Sequence, residues 1–258
     1  MRYKGFDLQG KVAVVVGATS GIGRVIGEGL AEAGADVIPT GRRADLVDAA
    51  VKEIESLGRR SLPICCDVND RPSLQTVLEA IVREFGKLDI LVFAAGITHR
   101  QPFLDVRERQ WNEVIETNLT GAFHACQIFG SHMVARRYGR IINIGSLGSY
   151  LGLNGVAAYA ASKAGLASLT RTLAVEWASS GVCVNALVPG VFRTAMNMQL
   201  LDGTPRGQEL LTRTPMQRFG TLEELVGGAI FLASDAASFV TGTLLQIDGG
   251  FLASGVNQ

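Results

Sequence analysis

Cysteine and histidine are scarce in this 258-residue chain, with 4 of the first and 3 of the second. Cys65 and Cys66 are adjacent, Cys126 and Cys183 stand alone, and no C-x-x-C pair exists. A disulfide framework or zinc ribbon is therefore not expected, and free thiols in a reducing compartment are. His99, His124 and His132 fall in no H-E-x-x-H or H-x₃-H spacing, so no metal motif is present. Net charge is also missing, because 24 Lys and Arg balance 24 Asp and Glu. Attraction to nucleic acid or to an anionic membrane is not expected on that balance. Long apolar runs are absent too. The run after Lys11 ends at Val16, too short for the core of a signal peptide. The uncharged stretch from Ile141 to Ser162 is broken by Asn143, Gly145, Ser146, Gly148, Gly152 and Asn154. A spanning helix needs about 20 predominantly apolar residues. The expectation is a soluble, cytoplasmic protein.

Hydrophobic residues make up 47% of the chain and glycine is frequent at 31, while aromatics reach only 7%. That mixture suits a packed core with tight turns. Short apolar runs alternate with longer helical patterns. The strands are predicted at 12–16, 36–39, 61–65, 90–93, 141–144, 183–187 and 244–247. The helices are predicted at 21–33, 44–57, 72–85, 108–136, 158–179 and 223–233. Apolar residues at consecutive strand positions indicate strands buried on both faces. Gly34, Gly58 and Gly86 each follow a helix, at the left-handed cap position. Strict βα alternation predicts an α/β fold, a doubly wound parallel sheet with helices on both faces. No linker, repeat or composition shift divides the chain, so residues 1–258 are read as one domain. The stretch 192–219 breaks the rhythm with Gly203, Pro205, Gly207 and Pro215 and is predicted to be a lid-like insertion.

The first strand runs into Gly17-Ala18-Thr19-Ser20-Gly21-Ile22-Gly23 and then a helix. Glycines in such a turn let the backbone approach a pyrophosphate, and the helix N-terminus offers free N–H groups and partial positive charge. A tight turn without ligand could use the same glycines; the position between first strand and first helix favours binding. The second strand ends at Thr40-Gly41-Arg42-Arg43 with no acid from Val37 onward. An acid there would hold ribose hydroxyls, whereas an arginine suits a 2′-phosphate. Arg42 therefore favours NADP(H) over NAD(H).

Tyr159 and Lys163 stand four apart on one predicted helix face. Bringing a phenol from about 10 to about 7–8 needs roughly 3–4 kcal/mol of preferential phenolate stabilisation. A neighbouring ammonium supplies part of that. Of the four tyrosines only Tyr159 has lysine at i+4. Ser146 closes the apolar run 141–145, and Asn118 lies inside a long apolar helix pattern. Taken singly, the serine is a turn residue and the asparagine a satisfied helix amide.

With these pieces in this order, nearly the whole chain resembles the short-chain dehydrogenase/reductase family. The resemblance rests on Gly17 to Gly23, Asp67-Val68, Ala94-Ala95-Gly96, Asn118, Ser146, Tyr159 with Lys163, and Pro189-Gly190. It implies that Tyr159 exchanges the substrate hydroxyl proton and Ser146 hydrogen-bonds the substrate oxygen. Lys163 would lower the tyrosine pKa and hold the nicotinamide ribose, and Asn118 would order a proton-relaying water. Gly17, Thr19, Ser20, Gly21, Ile22, Gly23, Arg42, Asp67, Val68, Ala95 and Gly96 would line the cofactor, with Pro189, Gly190, Val191 and Thr194 flanking the nicotinamide. Two positions depart from the family's usual residues: Val16 stands for a threonine and Phe93 for an asparagine. Both lie on strands expected to be neighbours, where an apolar contact would replace a hydrogen bond.

Within the family, the text 95–103, Trp111, Arg213-Thr214-Pro215 and Arg218-Phe219-Gly220 resembles sugar-acid reductases such as gluconate 5-dehydrogenases and 2-deoxygluconate dehydrogenases. Arg100 would then clamp a substrate carboxylate, though a surface arginine on a loop reads equally well. A 3-oxoacyl-carrier-protein reductase is the alternative, with Arg136 and Arg137 half-matching a basic rim for an acidic carrier. A non-catalytic dinucleotide-binding regulator would have no use for the four polar residues. The resemblance also implies a homotetramer, through the helices at 108–136 and 158–179 and the segment 244–251.

Overall fold

The computed structural model describes residues 4–194 and 197–255. Six parallel strands form the sheet: β1 (Val12–Val16), β2 (Asp36–Thr40), β3 (Ile90–Phe93), β4 (Gly139–Ile144), β5 (Val182–Pro189) and β6 (Leu244–Ile247). Their spatial order is β2-β1-β3-β4-β5-β6. After β2 the chain crosses back over β1 to lay β3 on its other side, so the order reverses between β1 and β3. A crevice opens at the carboxyl ends of strands at such a switch point.

The strands alternate sides at every residue, and both sides are covered. Val12, Val14 and Val16 of β1 join Leu91 and Phe93 of β3 in one core. That core is closed by α3 (Arg71–Phe85), α5 (Gly121–Arg136) and α6 (Ala157–Trp177). Ala13 and Val15 join Ile90 and Val92 in a second core, under α1 (Gly21–Glu32), α2 (Ala44–Ser56) and α9 (Val226–Ala233). Burying each large apolar side chain contributes about 1.5–3 kcal/mol, which is why these runs read as continuous rather than alternating. Gly34, Gly58 and Gly86 all adopt positive φ just past their helices, as expected.

Two predicted elements differ. Residues 61–65 run beside β2 without forming a strand. Val37 N–H reaches Arg60 O at 3.1 Å and Cys66 N–H reaches Gly41 O at 2.9 Å. Between them Pro39 has no N–H to donate, so the ladder cannot continue. The predicted helix 108–136 is three pieces: α4 (Glu108–Ile115), a π-helical turn (Glu116–Thr120) and α5. The insertion 192–219 carries α7 (Met198–Leu201) and α8 (Pro205–Arg213). It is closed by a parallel bridge between Phe192 and Gly220.

Candidate active site

Gly17, at φ +87°, ends β1 directly against the end of β3: a Cβ there would lie 2.6 Å from Ala95 N. A Cβ on Gly23 would lie 2.3 Å from Gly17 O, so the turn closes onto the first helical turn of α1. Thr40 O receives both the Gly17 and Ala18 amides at 3.0 Å, fixing the turn to β2. Ser20 precedes α1 with no side-chain cap, and no acid occupies the first turn of the helix. Gly21 faces open space. The amides at the start of α1 are thus approachable and surrounded by no negative side chain, which suits a pyrophosphate.

The rest of the cofactor set lies along the same carboxyl edge. Thr19 packs on Gly41, whose Cβ would meet its methyl at 2.6 Å. Asp67 takes the Asn69 amide on Oδ1 at 3.0 Å, and buried Val68 packs against Gly121. Pro189 closes β5, and a Cβ on Gly190 would collide with the backbone of Asp248 at 2.5 Å. Val191 O accepts the Gly220 amide, and Thr194 N–H is held by Asn197 Oδ1 at 2.8 Å. Arg42 is exposed just past β2, and among the described residues no carboxylate pairs with it. These residues fit a dinucleotide: close glycine packing at the turn, open amides on α1 and an unpaired guanidinium beyond β2.

The polar residues meet where β4 ends. Ser146 is extended, and its Oγ accepts the Gly148 amide at 3.2 Å, leaving the hydroxyl proton free to be donated. Ser149 Oγ accepts the Ser146 amide at 3.3 Å and donates to Lys163 O at 3.1 Å, tying this turn to α6. Tyr159, partly buried, and Lys163, buried, lie on that helix. Lys163 Nζ donates to Ile144 O at 2.7 Å and sits 5.7 Å from the Tyr159 ring centroid. Burial lowers the ammonium to about 8. Burial also pushes the Tyr159 phenol above its ordinary value, with the Ser146 hydroxyl acting against it.

Asn118 is fully buried in the π-helical turn. Its Oδ1 accepts Ile97 N–H at 2.8 Å, while Nδ2 donates to Ile97 O at 2.9 Å and Ser162 Oγ at 3.1 Å. Ser162 Oγ in turn donates to Tyr159 O at 2.7 Å. The extra residue of a π turn re-aims a side chain, and here it points an amide across to Ile97 in the loop after β3. Gly96 lies beside it: a Cβ there would sit 3.4 Å from Asn118 Oδ1 and 3.7 Å from Lys163 Nζ. Ser149 and Ser162 were not singled out from the sequence. Ser162 sits inside the Tyr159–Lys163 spacing, which was the available signal.

Residues 17–252 match the family model described as enoyl-(acyl carrier protein) reductase. Gluconate 5-dehydrogenase of Gluconobacter oxydans is 39% identical over 249 residues, 96% of this chain and 97% of that one. The chain belongs to the short-chain dehydrogenase/reductase family. Another member, 3-oxoacyl-[acyl-carrier-protein] reductase of Escherichia coli, is 41% identical over 244 residues, covering 95% of this chain and 98% of that one. A crystal structure of a Burkholderia cenocepacia gluconate 5-dehydrogenase with NADP and tartrate superposes with a TM-score of 0.94 at 35% identity. It covers 98% of this chain and 99% of that one. This short-chain dehydrogenase/reductase is accordingly an oxidoreductase that uses a nicotinamide cofactor. When bound, the nicotinamide exchanges a hydride with the carbon of a secondary alcohol or ketone.

Proposed function

We propose that the chain interconverts a keto and a hydroxy sugar acid with NADP(H), as a gluconate 5-dehydrogenase-like enzyme. The observation that carries this reading is the setting of Arg100. Its Cγ lies 3.3 Å from where a Gly155 Cβ would be, and Gln101 N–H donates to Gly155 O at 2.9 Å. Gly155 is in the turn that leads into α6, four residues before Tyr159. The guanidinium is exposed and unpaired among the described residues, against the turn that leads into α6, where a carboxylate can take two parallel hydrogen bonds.

In this reading residues 1–258 act as one dinucleotide-binding and catalytic domain. Ser146 donates its free hydroxyl proton to the substrate oxygen. Tyr159 passes its phenolic proton to that oxygen in reduction and takes one back in oxidation. Lys163, released from Ile144 O, holds ribose hydroxyls and favours the phenolate by its charge. Asn118 positions the loop after β3 through both bonds to Ile97 and orders a water in the proton path. Arg42 holds the 2′-phosphate, which is the basis for NADP(H) over NAD(H), and NADP in the Burkholderia relative supports it. The insertion 192–219 acts as a lid. The enzyme works as a cytoplasmic homotetramer, a reading supported by Phe123 on α5 and Val175 on α6, 43% and 81% exposed.

The identity to the carrier-protein reductase favours a second reading, reduction of a carrier-tethered 3-oxoacyl thioester. Two observations weigh against it. Arg136 is engaged by Leu88 O and Asp89 Oδ1, both at 3.2 Å, and Arg137 by Ser179 O at 2.9 Å. These contacts lie at the amino ends of β3 and β4, opposite Ser146. The test is NADPH oxidation against keto-gluconates, neutral ketoses and acetoacetyl thioesters. Keto-gluconates are expected to dominate. Arg100→Ala is expected to raise their KM roughly tenfold to a hundredfold while barely changing a neutral ketone. Preference for the thioester establishes the second reading instead.

A further inference from the structure

Lys163 is held at both ends by one short stretch of chain. Its Nζ donates to Ile144 O at 2.7 Å, and its own backbone carbonyl accepts the Ser149 hydroxyl at 3.1 Å. Ser149 is the last residue of the 3₁₀ turn Leu147–Ser149 that follows β4. A serine hydroxyl has a single proton, and here a carbonyl takes it. What Ser149 Oγ offers the Ser146 amide is therefore a lone pair, and that amide donates to it at 3.3 Å. One hydroxyl thus joins the backbone of Ser146 to the turn of α6 that carries Tyr159 and Lys163.

The surroundings fit this bridge closely. A Cβ on Gly145 would lie 3.1 Å from Val188 Cγ2 and 3.3 Å from Ser149 Oγ, so glycine there leaves the hydroxyl its place. A Cβ on Gly148 would meet Ala160 Cα at 3.4 Å, which rests the 3₁₀ turn on the α6 backbone one residue past Tyr159. The Tyr150 and Leu151 amides both return to Leu147 O, at 3.0 and 2.9 Å, and close the turn behind Ser149. Ser146 Oγ takes the Gly148 amide from the same turn. The catalytic serine is therefore placed by the 3₁₀ turn, and Ser149 ties that turn to α6.

We propose that Ser149 is a positioning residue for proton transfer, whose hydroxyl sets the Ser146 hydroxyl at its working distance from Tyr159. This rests on the roles given above to Ser146, Tyr159 and Lys163, and not on the identity of the substrate. Ser146 and Tyr159 must both reach one substrate oxygen. A misplacement of about 1 Å in such an arrangement costs roughly 10²-fold in rate. Ser149 has given its only proton to Lys163 O and has none for the substrate, so it acts through Ser146.

The test is a double-mutant cycle of Ser149→Ala and Ser146→Ala. The readouts are kcat, KM and NADPH affinity, with whichever keto-gluconate, neutral ketose or acetoacetyl thioester the wild type reduces fastest. Ser149→Ala alone is expected to lower kcat roughly tenfold to a hundredfold, with KM and NADPH affinity within about threefold. In the Ser146→Ala background the same change is expected to cost less than about twofold, because the hydroxyl to be positioned is gone. A kcat for Ser149→Ala within about twofold of the wild type overturns the proposal. So does an equal loss in both backgrounds, which a packing role alone would give. Near-wild-type turnover in Ser146→Ala overturns instead the reading of Ser146 on which the proposal rests, and leaves Ser149 nothing to position.

Discussion

Val16 on β1 lies directly opposite Phe93 on β3, and both are buried in the same core. The two apolar departures from the family's usual residues are thus one contact. A polar residue at either position alone would face a hydrocarbon partner. Val16→Thr is expected to lower stability by about 1–3 kcal/mol and Phe93→Asn by more than about 3 kcal/mol. The double variant, able to pair hydroxyl with amide, should lose about 1 kcal/mol or more less than the sum. Urea unfolding at fixed protein concentration measures all three. Strict additivity would show that the pair does not interact.

Arg42 decides cofactor choice only if it meets a phosphate. Arg42→Ala is expected to weaken NADPH roughly tenfold or more and NADH by less than about threefold, since only NADPH carries the 2′-phosphate. Fluorescence titration of both cofactors measures this. Equal losses, or a wild type that prefers NADH, would count against the assignment.

Lys163 gives a pH signature in the cofactor-free protein. Its folded pKa of about 8 lies below the free value of 10.5. Below about pH 8 it is charged in both states, and burial of that charge is a full penalty. Between about 8 and 10.5 the unfolded chain binds more protons, so this residue's contribution to stability rises with pH. The span corresponds to about 3 kcal/mol. Lys163→Met should therefore gain on the wild type below pH 8 and lose that advantage by about pH 10.5. A stability difference constant with pH would contradict a buried, titrating ammonium.

The doubly wound sheet was legible because its strands are buried on both faces and their sequences carry no alternation. The catalytic spacing was legible because one helix holds both Tyr159 and Lys163. Residues 61–65 misled because they have strand composition, while the obstacle is Pro39 on the neighbouring strand. The π turn at Glu116–Thr120 left no trace in the apolar period, since Asn118 is drawn out by Ile97 and Ser162, which are distant in sequence. Ser149 owes its place to a tertiary contact with Lys163 O, which no local pattern encodes.

The proton on Tyr159 is the point on which the chemistry turns. Tyr159→Phe keeps the ring and its packing and removes only the exchangeable hydroxyl. Steady-state turnover with NADPH and a keto-gluconate, measured beside NADPH affinity, separates the two functions of the site. We predict that kcat falls roughly 10²–10⁴-fold while NADPH affinity stays within about threefold. Turnover near that of the wild type would contradict Tyr159 as the proton-transfer residue.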